Sequence, residues 1–460
     1  MRERRLLLIS YHFPPSTAAG ALRWEKLAQH AARRGYGLDV VTQDPAELTE
    51  RDDRRREALP VGTRITGVAS PTVWTTRAEA TLSRWLARRR LSGGNGPRHP
   101  PSGIARAASL SPDAIRWSLA PRALLRGWWS TENWHRERAW ALAAASAAGR
   151  LVDPERHVAI LTSGPPHAAH RAAVGLAARA GLPLILDFRD PWSFPRRVPE
   201  HFASPMHFAL AARAERRAIR EAALVLANTD ALRDALRAAF PARAEDIITV
   251  MNGFDEDGAA SPPSRAADRF TVTYAGALYL DRDPRLFLRA AGRVVRELGL
   301  DPERFGIELL GTGETFGRAS LRDIAGEEGV GEHLTIHARL PRAEVLAFLA
   351  GSTMLLNLPQ DSPFAIPSKL FEYLQFPVWL LALAAPGTPT ANLLRGTGAD
   401  LVAPGDVDAM TAVLRRRVNA FLAGERPGRI AGADRFSRAA QATVFLDALE
   451  EVLRRAPARR

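Results

Sequence analysis

The chain has 460 residues, of which 46% are hydrophobic and 25% are charged. This length exceeds what one hydrophobic core usually serves, so the sequence predicts two domains. The formal net charge of +13 favours an anionic partner: a phosphate-bearing substrate, a nucleic acid or an anionic membrane face.

Cysteine is absent, which excludes disulfides, thiolate catalysis and cysteine-ligated metals. The apolar part of MRERRLLLIS is too short for a signal peptide, and no apolar run is long enough to cross a bilayer. We therefore expect a soluble, cytoplasmic protein.

Apolar segments alternate with helical segments along the first half of the chain. The first apolar segment is RLLLIS, followed by a loop, a helical stretch that ends at Gly35, and GLDVVT; together they predict a βαβ unit. The alternation continues with HVAILTS, LPLILDFRD, ALVLANT and DIITVMN. Continuous apolar runs are typical of parallel strands buried on both faces. The pattern predicts a doubly wound α/β domain over residues 1–257.

A stretch rich in Pro, Ser and Ala, DGAASPPSRAAD, predicts a linker after this domain. A second series of apolar runs begins with FTVTYAG and FGIELLG and predicts another doubly wound, Rossmann-like domain over 268–430. A last amphipathic helix is predicted over 436–455. In two such domains we expect the carboxyl ends of both sheets to face one shared cleft.

One segment, from Trp74 to Trp140, interrupts the alternation and is interpreted as an insertion in the first domain. It holds seven of the ten tryptophans, many arginines and the loop SGGNGPRHPPSG. The mixture of Trp, Leu and Arg in RWLARRRL and RWSLAPRALLRGWWS is typical of helices at a membrane interface. The alternative is that Trp85, Trp117, Trp128 and Trp129 pack the insertion onto the first domain.

Lysine is rare in this chain. Lys26 and Lys369 are the only two among 63 basic side chains, so the retention of a lysine at 369 is informative. Lys369 lies in IPSKLFEYL, where Pro367 and Ser368 are typical of a helix start and Glu372 follows one turn later. A lysine in the first turn of a helix suits a phosphate, and the glutamate can accept from two ribose hydroxyls. The alternative is a surface helix with an ion pair between Lys369 and Glu372.

Two glycine-containing loops are candidates for binding a diphosphate or a dinucleotide. In FPPSTAAGALRW, Gly20 at the junction of loop and helix allows backbone N–H groups to approach a diphosphate closely. The run LLGTGETFG lacks the spacing and the following acid of a nicotinamide-binding fingerprint.

Two DxD triplets, residues 255–257 and 281–283, are candidates for a divalent metal held by oxygen ligands. Asp283, however, precedes Pro284, a pattern better explained by a helix cap. Arg282, between the aspartates of the second triplet, is placed to neutralise a phosphate.

The segments SGPPHAAH and LILDFRDPW each place polar residues after a predicted strand of the first domain. Asp187, Arg189 and Asp190 either bind acceptor hydroxyls or pair among themselves. His167 and His170 either face the cleft or are ordinary solvent-exposed histidines.

In their order and spacing, these segments resemble the retaining GT-B glycosyltransferases of family four, with a subfamily 4-like N-terminal domain and a group 1-like C-terminal domain. The similarity lies in LISYHFPPSTAAGALRWEKLAQHAARRGYGLDVVT, TSGPPHAAH, LILDFRDPW, MNGFD, YAGALY and SKLFEYL. The family's opening usually has two glycines where this chain has Ala19 and Gly20. The similarity extends over nearly the whole chain outside the predicted insertion.

The resemblance implies a nucleoside diphosphate sugar as co-substrate, with no cofactor and no divalent metal. Lys369 and Arg282 would be the catalytic cations on the diphosphate, with Gly276 in the same donor-binding set. Glu372 would hold the ribose, and Gly20 would contact the phosphates from the first domain. A fixed cation stabilises the charge that builds on the β-phosphate as the glycosidic bond breaks. The acceptor would be a glycan or lipid-linked precursor at the cytoplasmic membrane face, as in polysaccharide biosynthesis.

The chain departs from the family pattern at one position. The first glutamate of the family's EX7E motif is replaced by Phe364, and the nearest carboxylate is Asp361. The alternatives are a GT-B sugar-nucleotide epimerase, which needs no acceptor, and a catalytically silent GT-B scaffold. A nucleic-acid-binding protein is suggested by charge alone, and no recognised binding motif supports it.

Overall fold

The computed structural model describes residues 3–73, 122–193, 205–255, 268–279, 282–359 and 362–455. The chain divides into two compact units. The first comprises Met1–Val250 together with Ala442–Arg460, and the second comprises Met251–Gln441. The division therefore falls slightly before the predicted boundary at 257, and the end of the chain belongs to the first unit rather than forming a separate element.

The first unit has seven described strands. They are β1 Arg4–Ser10, β2 Tyr36–Gln43, β3 Arg64–Val68, β4 His157–Gly164, β5 Leu184–Phe188, β6 Leu224–Ala227 and β7 Ile247–Thr249. Its first helices are α1 Ala19–Arg33, α2 Arg54–Glu57, α3 Arg122–Leu151, α4 Ala168–Ala180, α5 Pro205–Glu221 and α6 Asp230–Ala239, with 3₁₀ turns at Pro45–Glu47 and Pro241–Asp246. The strands form one parallel sheet in the order β3-β2-β1-β4-β5-β6-β7.

The centre of this sheet explains its apolar sequence. Leu8 of β1 is paired with Val40 on one side and Leu161 on the other, and all three side chains are fully buried. A strand covered on both faces needs apolar residues at successive positions, as in RLLLIS. Because the strand order reverses between β1 and β4, their connections leave in opposite directions and open a crevice at the carboxyl edge.

The second unit repeats this design with a smaller sheet. Its strands are β8 Phe270–Ala275, β9 Phe305–Leu310, β10 Thr315–Phe316, β11 Ala319–Ser320, β12 Leu334–His337, β13 Met354–Asn357, β14 Trp379–Leu383 and β15 Asp400–Val402. Its helices are α7 Arg285–Leu298, α8 Leu321–Glu327, α9 Arg342–Ala350, α10 Ser368–Tyr373, α11 Pro389–Leu394 and α12 Val407–Leu422, with a 3₁₀ turn at Ala433–Phe436. Six strands form a parallel sheet in the order β12-β9-β8-β13-β14-β15, while β10 and β11 form a small antiparallel pair. Both sheets confirm the predicted doubly wound α/β class.

The last helix, α13 Arg438–Arg455, returns the chain to the first unit. Phe445 is fully buried and meets Trp24 of α1 edge to face, with ring centroids 5.8 Å apart. Leu446 and Leu449 are buried in the same core cluster. The amphipathic pattern of this segment thus reflects packing on the first sheet.

Much of the predicted Trp-rich insertion, residues 74–121, lies outside the described residues, as do the side chains of Trp128 and Trp129. Trp140, at its end, is 1% exposed and packs against Tyr11 with ring centroids 4.8 Å apart. This indole therefore packs in the first unit, whereas the alternatives for Trp85, Trp117, Trp128 and Trp129 stay predictions. Among the helices that the described residues form, none has the length and apolar character needed to cross a membrane.

Candidate functional site

In the second unit, the predicted donor-binding residues lie on two adjacent connections. Strand order reverses between β8 and β13, which opens a crevice where these two strands end. Gly276 and Arg282 follow β8, whereas Lys369 and Glu372 lie on α10, which follows β13. The topology therefore brings together residues that are more than 80 positions apart in the sequence.

Lys369 is a half-buried cation that forms no ion pair with any described residue. Its ammonium donates to the Ala275 carbonyl, with Nζ···O 2.9 Å, and lies 3.6 Å from the centre of the Tyr274 ring. Among the described residues, none offers it a carboxylate ion pair. Burial, followed by the nearby charge of Arg282, holds the pKa of Lys369 well below its usual range. A partly desolvated cation of this kind is suited to bind an anion.

Gly276 leaves room for this ammonium. Its φ is +117°, which disfavours other residues, and a Cβ built on it would lie 3.1 Å from Lys369 Nζ. The Tyr373 hydroxyl of α10 accepts a hydrogen bond from the Ala275 N–H at 3.0 Å. The end of β8 is therefore fixed against the helix that carries Lys369.

Arg282 adds a second cation at the same strand end. Its guanidinium lies over the Tyr279 ring, 4.5 Å from the ring centre. Its charge contributes to the lowered pKa of Lys369, and it opposes the effect of burial on Tyr274, whose pKa is nevertheless raised to about 12. An anion between the two cations would relieve their repulsion.

One carboxylate oxygen of Glu372 accepts a hydrogen bond, whereas the other has no hydrogen-bond partner among the described residues. Arg342, the first residue of α9, donates from Nη1 to Glu372 Oε1. No described residue bonds to Oε2, and the Glu372 side chain is 15% exposed. The predicted alternative, an ion pair between Lys369 and Glu372, is wrong, since the glutamate pairs with Arg342 instead. Arg342 itself gave no sequence signal, because a surface helix often begins with an arginine.

The predicted N-cap at Asp283 is off by one residue, because the N-cap of α7 is Pro284, which makes no side-chain cap hydrogen bond. Asp283 Oδ1 accepts from the Arg285 N–H at 2.9 Å, and Oδ2 pairs with the Arg285 guanidinium at 2.9 Å. Asp281 lies outside the described residues, as does Asp361. Among the residues that are described, no group of three or more His, Cys, Asp or Glu is arranged to hold a metal ion. Phe364, in place of the EX7E glutamate, is half-buried.

In the first unit, the loop predicted to contact phosphate is covered by an arginine. A methyl group at Gly20 would overlap the guanidinium of Arg189, which follows β5. The small size of Gly20 is therefore required by Arg189. The predicted contact between the backbone at Gly20 and a diphosphate stays a prediction.

Asp187 has a structural role, which corrects both predicted alternatives. It is fully buried and accepts from Arg23 Nη2 at 2.9 Å, Trp24 Nε1 at 2.8 Å and Ser163 Oγ at 2.9 Å. These bonds tie α1, β4 and β5 together. The carboxylate is thus saturated by partners other than Arg189, and it has no surface to offer an acceptor.

The two histidines after β4 lie inside the first unit. His170 is fully buried, its Nδ1 lies 2.7 Å from Thr162 Oγ1, and burial together with Arg189 lowers its pKa to about 3. His167 stacks on Trp192 at 5.5 Å, and burial, with the nearby His170, lowers its pKa. Both are neutral imidazoles, and His170 does not reach solvent as an acceptor-binding residue would. Asp190 is half-buried.

Several solved structures share this architecture. HepE of Anabaena, crystallised with UDP, matches with a TM-score of 0.57 and 13% identity over 97% of this chain and 100% of its own. A trehalose 6-phosphate synthase of Burkholderia multivorans matches with a TM-score of 0.59 and 14% identity over 99% of each chain. A glycosyltransferase of Rickettsia africae matches with a TM-score of 0.61 and 10% identity over 99% of this chain and 100% of its own. At these identities the likeness shows the fold. No protein of curated function matches the sequence.

Residues 102–257 match the model of Glycosyltransferase Family 4. The chain has the GT-B fold, and part of it is similar to Glycosyltransferase Family 4. The family 4 match begins inside the segment predicted as an insertion and ends at the predicted end of the first domain. Part of that Trp-rich segment therefore lies in the region that matches the family model.

Proposed function

We propose that this glycosyltransferase takes its sugar from a nucleoside diphosphate sugar bound by the second unit. The observation that carries the proposal is Lys369, a half-buried ammonium without a carboxylate partner at the point where strand order reverses. Arg282 adds positive charge beside it, and Glu372 offers a free carboxylate oxygen. This combination suits a diphosphate joined to a ribose. HepE, which shares the fold, has been crystallised with UDP and with UDP-glucose, which supports the ligand class.

In the proposed reaction, the two cations act on the leaving group. Negative charge grows on the β-phosphate as the glycosidic bond breaks, and a fixed ammonium and guanidinium stabilise it without reorganising at that moment. Glu372 Oε2 accepts from the ribose and holds the nucleotide in place. Because two protein cations supply the charge, we propose that no divalent metal takes part. Transfer with retention of configuration is proposed from the resemblance alone.

The acceptor is proposed to be a glycan or lipid-linked precursor at the cytoplasmic face of a membrane, as in polysaccharide biosynthesis. The net charge of +13 and the Trp- and Arg-rich sequence between Trp74 and Trp140 support contact with anionic lipid. Co-sedimentation with anionic vesicles but not with neutral ones, reversed by high salt, is the expected result. Failure to bind anionic vesicles at low salt would contradict this part of the proposal.

The ligand class is tested by a thermal-shift panel with UDP, GDP, ADP and the matching nucleosides. A ligand that binds only the folded state raises its stability by mass action, by about 2.7 kcal/mol at a concentration 100 times Kd. We expect one diphosphate to raise Tm in a saturable way while its nucleoside has little effect. Equal responses to the nucleoside and the diphosphate would remove the role of the cations, and a flat response to all would favour a silent scaffold.

A further inference from the structure

We propose that Arg189 is the centre of a second anion-binding subsite, located in the first unit, which takes a phosphate group of a substrate. The claim that Arg189 binds an anion depends only on the geometry. The source of the phosphate, which is either the nucleoside diphosphate or a phosphorylated acceptor, rests on the proposed function.

The position of Arg189 is fixed by its backbone and by one end of its guanidinium. Its N–H donates to the Gly164 carbonyl at 3.0 Å, and the Asn228 amide donates to its carbonyl. Its Nη2 donates to the Pro165 carbonyl, while Nη1 lies against Gly20. These contacts come from the segments after β1, β4, β5 and β6, so the guanidinium lies at the carboxyl edge where the strand order reverses.

The charge of this guanidinium is not compensated by an ion pair. Within the described part of the chain, no carboxylate forms an ion pair with Arg189, and its Nε is buried without a hydrogen-bond partner. Asp187 is near enough to act on its charge but is already saturated by Arg23, Trp24 and Ser163. Burial lowers the pKa of Arg189. Removing a cation from water without a partner costs free energy, which a bound anion would recover.

Two nearby carboxylates, Asp187 and Asp190, act on the charge of Arg189, but within the described residues neither forms an ion pair with it. Burial, followed by the charge of Arg189, lowers the pKa of His12 to about 4, and His167 and His170 are likewise neutral. Arg189 as a whole residue is partly buried, and within the described residues neither its Nη1 nor its Nε has a hydrogen-bond partner. A compact dianion such as a phosphate fits a guanidinium with a free Nη1 better than a neutral sugar hydroxyl does.

The test uses pyrophosphate binding to the full chain, measured by calorimetry in a Lys369→Ala background that removes the main cation of the second unit. In that background we expect saturable binding, and Arg189→Met should weaken it at least about tenfold, which is about 1.4 kcal/mol. Arg64→Met is the matched control, because Arg64 is exposed on β3 of the same sheet and has no described partner. Arg189→Lys keeps the positive charge but loses the planar guanidinium that can donate two parallel hydrogen bonds. We therefore expect an intermediate affinity for pyrophosphate.

Unchanged affinity in Arg189→Met, or no pyrophosphate binding in the Lys369→Ala background, would overturn the subsite. If Arg189→Met fails to fold, the test uses Arg189→Lys instead. A pyrophosphate affinity of this variant equal to that of the parent with Arg189 would overturn the subsite. In the otherwise wild-type chain, weaker nucleoside diphosphate binding by the Arg189 variant assigns the subsite to donor phosphates, whereas unchanged binding assigns it to an acceptor phosphate. A chain that binds no nucleotide but keeps Arg189-dependent pyrophosphate binding would refute the proposed function and leave the subsite standing.

Discussion

The ammonium of Lys369 lies 3.6 Å from the centre of the Tyr274 ring and 2.9 Å from the Ala275 carbonyl oxygen. Both contacts are with neutral groups, so they orient the lysine without cancelling its charge. A ring face and a carbonyl hold the ammonium at the end of β8, where an incoming diphosphate would supply the missing negative charge. This arrangement distinguishes Lys369 from a lysine that serves a surface ion pair.

Replacing Lys369 should mainly slow the transfer step. We expect Lys369→Ala to lower kcat by roughly 10²–10³, the range observed when one preorganised stabiliser of transition-state charge is lost. Lys369→Arg should recover part of the rate, since the charge remains but its position changes. The control is Lys26→Ala, which removes the other lysine of the chain. Full activity of Lys369→Ala in a sugar-transfer assay would remove Lys369 from the mechanism.

The ribose contact should depend on a pair of residues rather than on Glu372 alone. Glu372→Gln replaces the carboxylate with a weaker acceptor, and Arg342→Met leaves the carboxylate without the partner that holds Oε1. We expect each change to weaken nucleoside diphosphate binding about tenfold, as for the loss of one charge-assisted hydrogen bond. Calorimetric titration of each variant with the nucleoside diphosphate measures this change in affinity.

The matched control for this pair is Arg415→Met, which breaks an exposed ion pair with Glu297 in the same unit. Such surface pairs contribute little, so nucleotide affinity should not change. If Arg342→Met instead tightens binding, Arg342 competes with the ribose and does not position Glu372.

Nucleotide binding should take up a proton at Lys369. Burial and Arg282 lower the pKa of this lysine in the free site, and a bound diphosphate raises it again by supplying negative charge. Between the two pKa values the complex holds more protons than the free protein, so affinity falls as pH rises through that interval. Calorimetry in two buffers of different ionisation enthalpy reports the proton. Lys369→Met should abolish the uptake; an equal uptake in that variant would show that the proton binds elsewhere.

Chelation should leave the reaction unaffected. Asp283 is engaged by the backbone and side chain of Arg285, and in the proposed reaction Lys369 and Arg282 supply the positive charge that neutralises the diphosphate. We therefore expect the initial rate of sugar transfer to be the same with and without EDTA. Strict dependence on Mn²⁺ would restore Asp281 and Asp283 as metal ligands.

The sequence predicted those features that depend on local pattern. Apolar runs predicted the parallel strands because such strands are covered on both faces, and the proline and serine before Lys369 predicted the start of α10. The helix at the end of the chain was also predicted, although only the fold shows that it packs beside Trp24.

Tertiary partners were beyond the reach of the sequence. Arg342 meets Glu372 only because α9 and α10 pack in the same unit, and Asp187 is taken by Arg23 across 164 positions. For the same reason the sequence could not show that Arg189, the group that requires the small size of Gly20, is supplied by a different strand end.

The most direct test of the central claim is a crystal structure of the chain with the nucleoside diphosphate selected by the thermal-shift panel. We predict density for the diphosphate within hydrogen-bonding distance, about 3 Å, of Lys369 Nζ and the Arg282 guanidinium. The ribose should contact Glu372 Oε2 while Arg342 keeps its bond to Oε1. A nucleotide bound elsewhere, with Lys369 still bonded only to the Ala275 carbonyl, would contradict the account.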